Sequence, residues 1–162
     1  MEKLKRALDK FLEVMLMISV AVLVIDVLWQ VFTRFIMGNP SSWTEELATF
    51  LLIWVSLLGA AVALGRGAHL GIDYFANKLP ERNRIQTELF VFAVVSLFSL
   101  LVMVAGGIGL VRQTLNLEQI SVALHIPMGY VYLAIPISGF FLVLYGLIGF
   151  FERLTQLQKG EA

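Results

Sequence analysis

Residues 42–69 read SWTEELATFLLIWVSLLGAAVALGRGAH. No charge falls between Leu47 and Leu64. At ~1.5 Å of rise per helical residue that stretch nearly matches the ~30 Å hydrocarbon core of a bilayer. Polar groups stand at both of its ends: Ser42, Trp43, Thr44, Glu45 and Glu46 before it, Gly65-Arg66-Gly67-Ala68-His69 and then Asp73 after it. The pattern predicts a helix that crosses a membrane and leaves its polar groups at the two surfaces.

Three more runs are long and apolar enough to span, Val14 to Met37 (which holds Asp26 and Arg34), Leu89 to Val111 and Met128 to Phe151. The 162-residue chain is 59% hydrophobic with a mean hydropathy of +0.84, well beyond the composition of a water-soluble domain. The expected fold is all-α and integral to the membrane. Four transmembrane helices at about 12–37, 43–65, 85–112 and 128–152 form a single domain over 1–162, with short amphipathic interfacial helices at about 2–12 and 70–79. The first run is read as a retained helix. It exceeds a signal core in length, and Phe35-Ile36-Met37-Gly38-Asn39-Pro40 is no small-x-small cleavage site.

Lysine and arginine set the orientation. Lys3, Lys5, Arg6, Lys10, Arg66, Lys78, Arg82, Arg84, Arg153 and Lys159 fall on one side, and only Arg34 and Arg112 on the other. The positive-inside rule then places both termini in the cytoplasm, with Glu45 and Glu46 on the outer side and His69 and Asp73 on the inner. Net charge is zero, so nucleic-acid binding has no electrostatic basis. The absence of cysteine excludes disulfides and thiolate chemistry.

The polar residues each have a structural and a functional reading. Ser42-x-x-Glu45 matches a capping box, in which each side chain serves the other's backbone amide. Glu46 shares a helical face with Trp43, Phe50 and Trp54, and that face suits docking on a partner protein. Gly59, Ala63 and Gly67 recur every four residues and suit close helix contact. Asp26, Gln30 and Arg34, at i, i+4 and i+8, predict a polar stripe within the first span. An intramembrane carboxylate marks an ion path by default, and polar glue between helices is the alternative. His69 and Asp73 suit a hydrogen-bonded pair on the cytoplasmic surface. His125 lies at the opposite surface from His69, so the two cannot form one metal site. No catalytic set, cofactor or metal site emerges.

Trp43-Thr44-Glu45-Glu46, Trp54, Gly59, His69, Asp73, the Ser121-x-Ala123-Leu124-x-Ile126-Pro127 turn and Pro136 together carry a resemblance. Across essentially its whole length the chain resembles the small, DctQ-like membrane subunit of tripartite ATP-independent periplasmic (TRAP) transporters. Relatives often carry a basic residue soon after the paired glutamates, whereas Leu47-Ala48-Thr49-Phe50 stands here. The resemblance implies a multi-pass protein of the bacterial inner membrane that braces a large membrane subunit. That subunit takes up an organic acid of the C4-dicarboxylate or sialic acid type, driven by a sodium gradient and supplied by a periplasmic binding protein. Implied partners are the large subunit, the binding protein in passing, and membrane lipids. A self-sufficient oligomeric channel or small exporter with Asp26 lining its path is the alternative.

Overall fold

The computed structural model describes residues 2–39, 41–66 and 80–158. His69, Asp73, Gly67 and the surface segment expected over 70–79 lie outside these residues. Six α-helices carry the described chain: α1 (Glu2–Phe35), α2 (Ser42–Gly65), α3 (Glu81–Phe98), α4 (Gly107–Asn116), α5 (Met128–Tyr132) and α6 (Ala134–Gln158). A π-helical stretch, Ser99–Gly106, joins α3 to α4. Among the described residues four segments are long and apolar enough to cross a membrane: Leu8–Phe35, Ser42–Gly65, Asn83–Asn116 and Met128–Gln158.

The segment expected at 2–12 continues into the first span as one helix, α1. That helix ends at Phe35, and the chain turns away at Gly38, where φ is +63°, a left-handed conformation that glycine adopts without a Cβ clash. The fourth span breaks at Leu133, between α5 and α6. Pro136 lacks the N–H that the Tyr132 carbonyl would otherwise receive, which accounts for the break at that turn.

Contacts divide the chain into two compact units, Met1–Gly59 with Ile108–Ala134 and Ala60–Gly107 with Ile135–Ala162. In the first unit, α1 buries a narrow seam. Leu12, Leu16, Ser19, Leu23, Asp26, Gln30 and Thr33 are buried or half-buried, and every other residue from Val14 to Phe35 is exposed. The steps alternate between four and three residues, the 3.5-residue repeat of a packed helix seam. The polar stripe therefore runs through Asp26, Gln30 and Thr33 rather than Arg34. Seven residues return to within about 20° of the starting direction on a helix, whereas eight overshoot by about 80°. Arg34 is exposed, with its guanidinium 5.8 Å from the Phe35 ring centre. Thr33 hands its hydroxyl proton to the Gln30 carbonyl at 3.0 Å.

In the second unit, α3 and the π-helical stretch lie against α6 at glycines. A Cβ on Gly139 would fall 2.6 Å from the Met103 Cβ. One on Gly146 would overlap the Ser96 hydroxyl, and one on Gly149 the Phe92 ring. Gly107 meets Pro136 in the same way, at 3.0 Å from its Cδ. Within the chain Gly59 has an ordinary contact, 4.0 Å from Leu16. The buried face of α2 is Leu58, Ala61 and Leu64.

Candidate functional site

The second span begins at a turn whose chemistry differs from the expected capping box. Ser41 donates its hydroxyl to Thr44 Oγ1 at 2.9 Å, and Thr44 donates its own to the Ser41 carbonyl at 2.9 Å. Thr44 is fully buried. The reciprocal pair is thus Ser41 and Thr44, one residue earlier than Ser42 and Glu45. Ser42 already lies within the helix, where its side chain is exposed, and Glu45 is exposed as well. The Glu45 carbonyl accepts the Thr49 hydroxyl at 2.8 Å, and the Glu45 carboxylate has no hydrogen-bond partner among the described residues. Ser-Ser at 41–42 left two registers open to the sequence, and the threonine hydroxyl, which both gives and accepts, decides between them.

This turn aims Glu46 at a loop far away in sequence. Its Oε1 accepts the Val122 amide at 3.0 Å. Its Oε2 accepts the Ala123 amide at 2.9 Å and the Leu124 amide at 2.8 Å. A carboxylate that meets three consecutive amides makes charge-assisted bonds, stronger and shorter than neutral ones. The expectation that Glu46 faces a partner is corrected: both of its oxygens are engaged within the chain.

The loop is built to receive it. Ser121 donates its amide to the Ile126 carbonyl at 2.9 Å, and Ile126 returns its own to Ser121 Oγ at 3.1 Å. Met128 reaches the Gln119 carbonyl at 2.8 Å, and Ile120 bridges Pro127 in antiparallel fashion. Residues 119–128 therefore close on themselves, and the amides of 122–124 are left for the carboxylate. Glu118 and His125, at either end, hold φ of +49° and +55°. Side chains other than glycine rarely hold that region, and it persists only where surrounding contacts fix it. His125 Nδ1 lies 3.2 Å from the Ala123 carbonyl. The bound loop presents Val122, which is 90% exposed, beside exposed Ile120 and Leu117.

The remaining residues of the expected docking face have no such occupation. Trp43 is 42% exposed. Phe50, Trp54 and Gly59 are half-buried, as is Ala63 further along the helix. Asp26 is only 4% exposed, and neither of its oxygens has a hydrogen-bond partner among the described residues.

At the other end of the spans is a group the sequence reading missed. Glu88, on α3, is buried between two arginines. Arg84 Nε donates to Oε1 at 3.0 Å from one turn earlier on the same helix. Arg153 Nε of α6 lies 2.6 Å from Oε2, in charge contact but off the hydrogen-bond direction. The i, i+4 spacing of Arg84 and Glu88 was a legible signal. Arg153 was not, because 65 positions separate it from Glu88.

Residues 23–156 match the family described as tripartite ATP-independent periplasmic transporters, DctQ component. The sialic acid TRAP transporter small permease protein SiaQ of Vibrio cholerae is 29% identical over 161 residues, which cover 98% of this chain and 88% of that protein. The C4-dicarboxylate TRAP transporter small permease protein DctQ of Rhodobacter capsulatus is 33% identical over 97 residues, 60% of this chain and 42% of that protein. The sialic acid TRAP transporter permease protein SiaT of Haemophilus influenzae is 39% identical over 62 residues, 38% of this chain but 10% of that protein.

Proposed function

The chain belongs to the DctQ family of TRAP transporter components, and from that premise we propose how it serves its complex. It is the small transmembrane subunit of a TRAP transporter in the bacterial inner membrane, partnered by a large membrane subunit. Within that complex it acts as a brace. The large subunit carries the substrate path, coupled to sodium, and a periplasmic binding protein delivers the cargo. The cargo is an organic acid of the sialic acid or C4-dicarboxylate class, for which relatives are named.

The observation that carries the brace reading is the Glu46 clamp. A strut must hold its own shape at the surface where partners act. Three charge-assisted bonds fix the loop between the third and fourth spans to the start of the second. Trp43, Phe50 and Trp54, with Gly59 beyond them, form the face proposed to meet the large subunit. The apolar residues of α1 outside its seam are exposed and available to lipid or to that subunit. Both termini are assigned to the cytoplasm from the charge distribution. His69 and Asp73 are proposed as a cytoplasmic surface pair.

The burial of Asp26 speaks against the channel alternative. A residue lining a path between copies must face outward, whereas Asp26 is closed in by its own chain.

Co-expression with the large permease and affinity purification through a tag on this chain tests the proposal. A one-to-one complex is expected, weakened by Trp54→Ala or Trp43→Ala. Recovery of this chain alone, or full assembly by both variants, would remove the docking face.

A further inference from the structure

The geometry points to a built site for an anionic phospholipid on the face shared by α3 and α6. Among the described residues the ion cluster there does not balance. Arg84 and Arg153 bring two positive charges to one carboxylate, Glu88, and leave a net positive charge. The Glu88 side chain is 7% exposed, whereas those of Arg84 and Arg153 are 43% and 34% exposed. The acid is thus buried behind the bases. Glu152 is also exposed, but it points about 100° around α6 from Arg153. Arg153 Nη1 additionally donates to Gln156 at 2.8 Å, which fixes its plane.

A groove adjoins this cluster. It has a volume of about 290 Å³ and is lined by Ala93, Ser96 and Leu100 on one wall and Val143, Leu147 and Phe150 on the other. Apart from the Ser96 hydroxyl its lining is apolar. It exists because Gly146 and Gly149 draw the two helices together beneath it, at Ser96 and Phe92. From Ala93 to Leu100 the wall extends about 10 Å along the helix axis. That is about a third of the hydrocarbon thickness, the upper part of an acyl chain. Phe150 lies one turn from Arg153, and Ala93 little more than one turn from Glu88. Leu97, Leu100 and Leu147 are exposed, so the groove opens outward rather than into the chain.

The two features complement one lipid molecule. An acyl chain fills the groove, and the headgroup phosphate meets the guanidiniums at the membrane surface, where basic pockets between spans capture anionic headgroups. Charge decides the class. A zwitterionic lipid brings a cation that the surplus positive charge repels, while phosphatidylglycerol brings only the phosphate.

Native mass spectrometry of the purified small–large complex, stripped of lipid and titrated with dioleoyl phosphatidylglycerol or dioleoyl phosphatidylcholine, tests this. The wild type is expected to take up phosphatidylglycerol with about tenfold preference, the equivalent of one to two arginine contacts. The triple variant Arg84→Gln, Glu88→Gln, Arg153→Gln removes all three charges together and avoids a lone buried carboxylate. It should lose the preference. Glu88→Gln alone should keep it, an outcome that general disruption of the cluster would not produce. Ala93→Phe, at an exposed wall of the groove, should weaken both lipids. Equal uptake of the two lipids by the wild type, or an undiminished preference in the triple variant, overturns the site. Release of the large subunit by Ala93→Phe overturns it as well, since the groove would then hold protein.

Discussion

Glu46 and Ala123 stand 77 positions apart in the chain, and the carboxylate of one accepts the amide of the other at 2.9 Å. Val122 and Leu124 extend the contact to three amides on one side chain. Two short sequence signals, the paired glutamates and the Ser121–Pro127 turn, are thereby two halves of one clamp.

The clamp predicts how the loop responds to substitution. Glu46→Ala removes the acceptors and leaves three amides unmet. Glu46→Gln should also fail, because its NH2 group would turn donors toward donors. Hydrogen exchange at Val122, Ala123 and Leu124 should accelerate in both variants, while the Ser121–Ile126 pairing loses less protection. Unchanged exchange at those three amides in both variants would show that something else holds the loop.

Helix packing predicts a sharp contrast between glycines of the second unit and Gly109 of the first. Gly139→Ala places a methyl 2.6 Å from Met103 Cβ, so neighbouring groups must move. Overpacking of this kind costs about 1–3 kcal/mol. Gly109→Ala meets nothing within 4 Å and should be close to neutral. Gly146→Ala collides with the Ser96 hydroxyl, and Ser96→Ala in the same chain should recover part of its loss. Unfolding in detergent measures all four.

The Glu88 cluster predicts an order of effects. Arg84 pairs with Glu88 along one helix, and such pairs contribute about 0.3–0.5 kcal/mol. Arg153 joins two helices and reaches a buried carboxylate oxygen. Its loss removes the charge that faces that buried oxygen and the tie between the two helices, and taking away one member of a buried ion pair is strongly destabilising. Arg153→Ala should therefore lower stability more than Arg84→Ala. Equal losses would reduce Arg153 to a surface charge.

Asp26 predicts a gain. It is buried with no hydrogen-bond partner among the described residues, a condition that costs about 1–3 kcal/mol. Asp26→Leu, of the same branched shape, should match or exceed the wild type in stability and leave transport by the complex intact. Loss of transport in a stable Asp26→Leu complex would give the carboxylate a working role.

Much of the fold was legible because span length and the absence of charge are strong signals in a chain this apolar. The helix faces were less so. From Val14 to Phe35 the outward surface of α1 is apolar apart from Arg34, and the seam stands out by its polar members Ser19, Asp26, Gln30 and Thr33. A four-residue step leads from Gln30 to Arg34, whereas the 3.5-residue repeat of the seam leads to Thr33. Gly139, Gly146 and Gly149 share a face at intervals of seven and three and make a close approach within the chain, which the four-residue repeat of Gly59 and Ala63 does not signal. The two halves of the clamp were each visible, but their union depends on how the spans turn back on one another, which no local pattern encodes. The register of the cap failed for a smaller reason: adjacent serines at 41 and 42 fit the same motif one residue apart.

The central claim is that this chain braces a transporter and does not transport alone. Proteoliposomes containing this chain alone, the large permease alone, or both, supplied with a binding protein loaded with a radiolabelled organic acid under a sodium gradient, decide it. Uptake only when both membrane subunits are present is the predicted result. Robust flux through this chain by itself, abolished by Asp26→Asn, would contradict it.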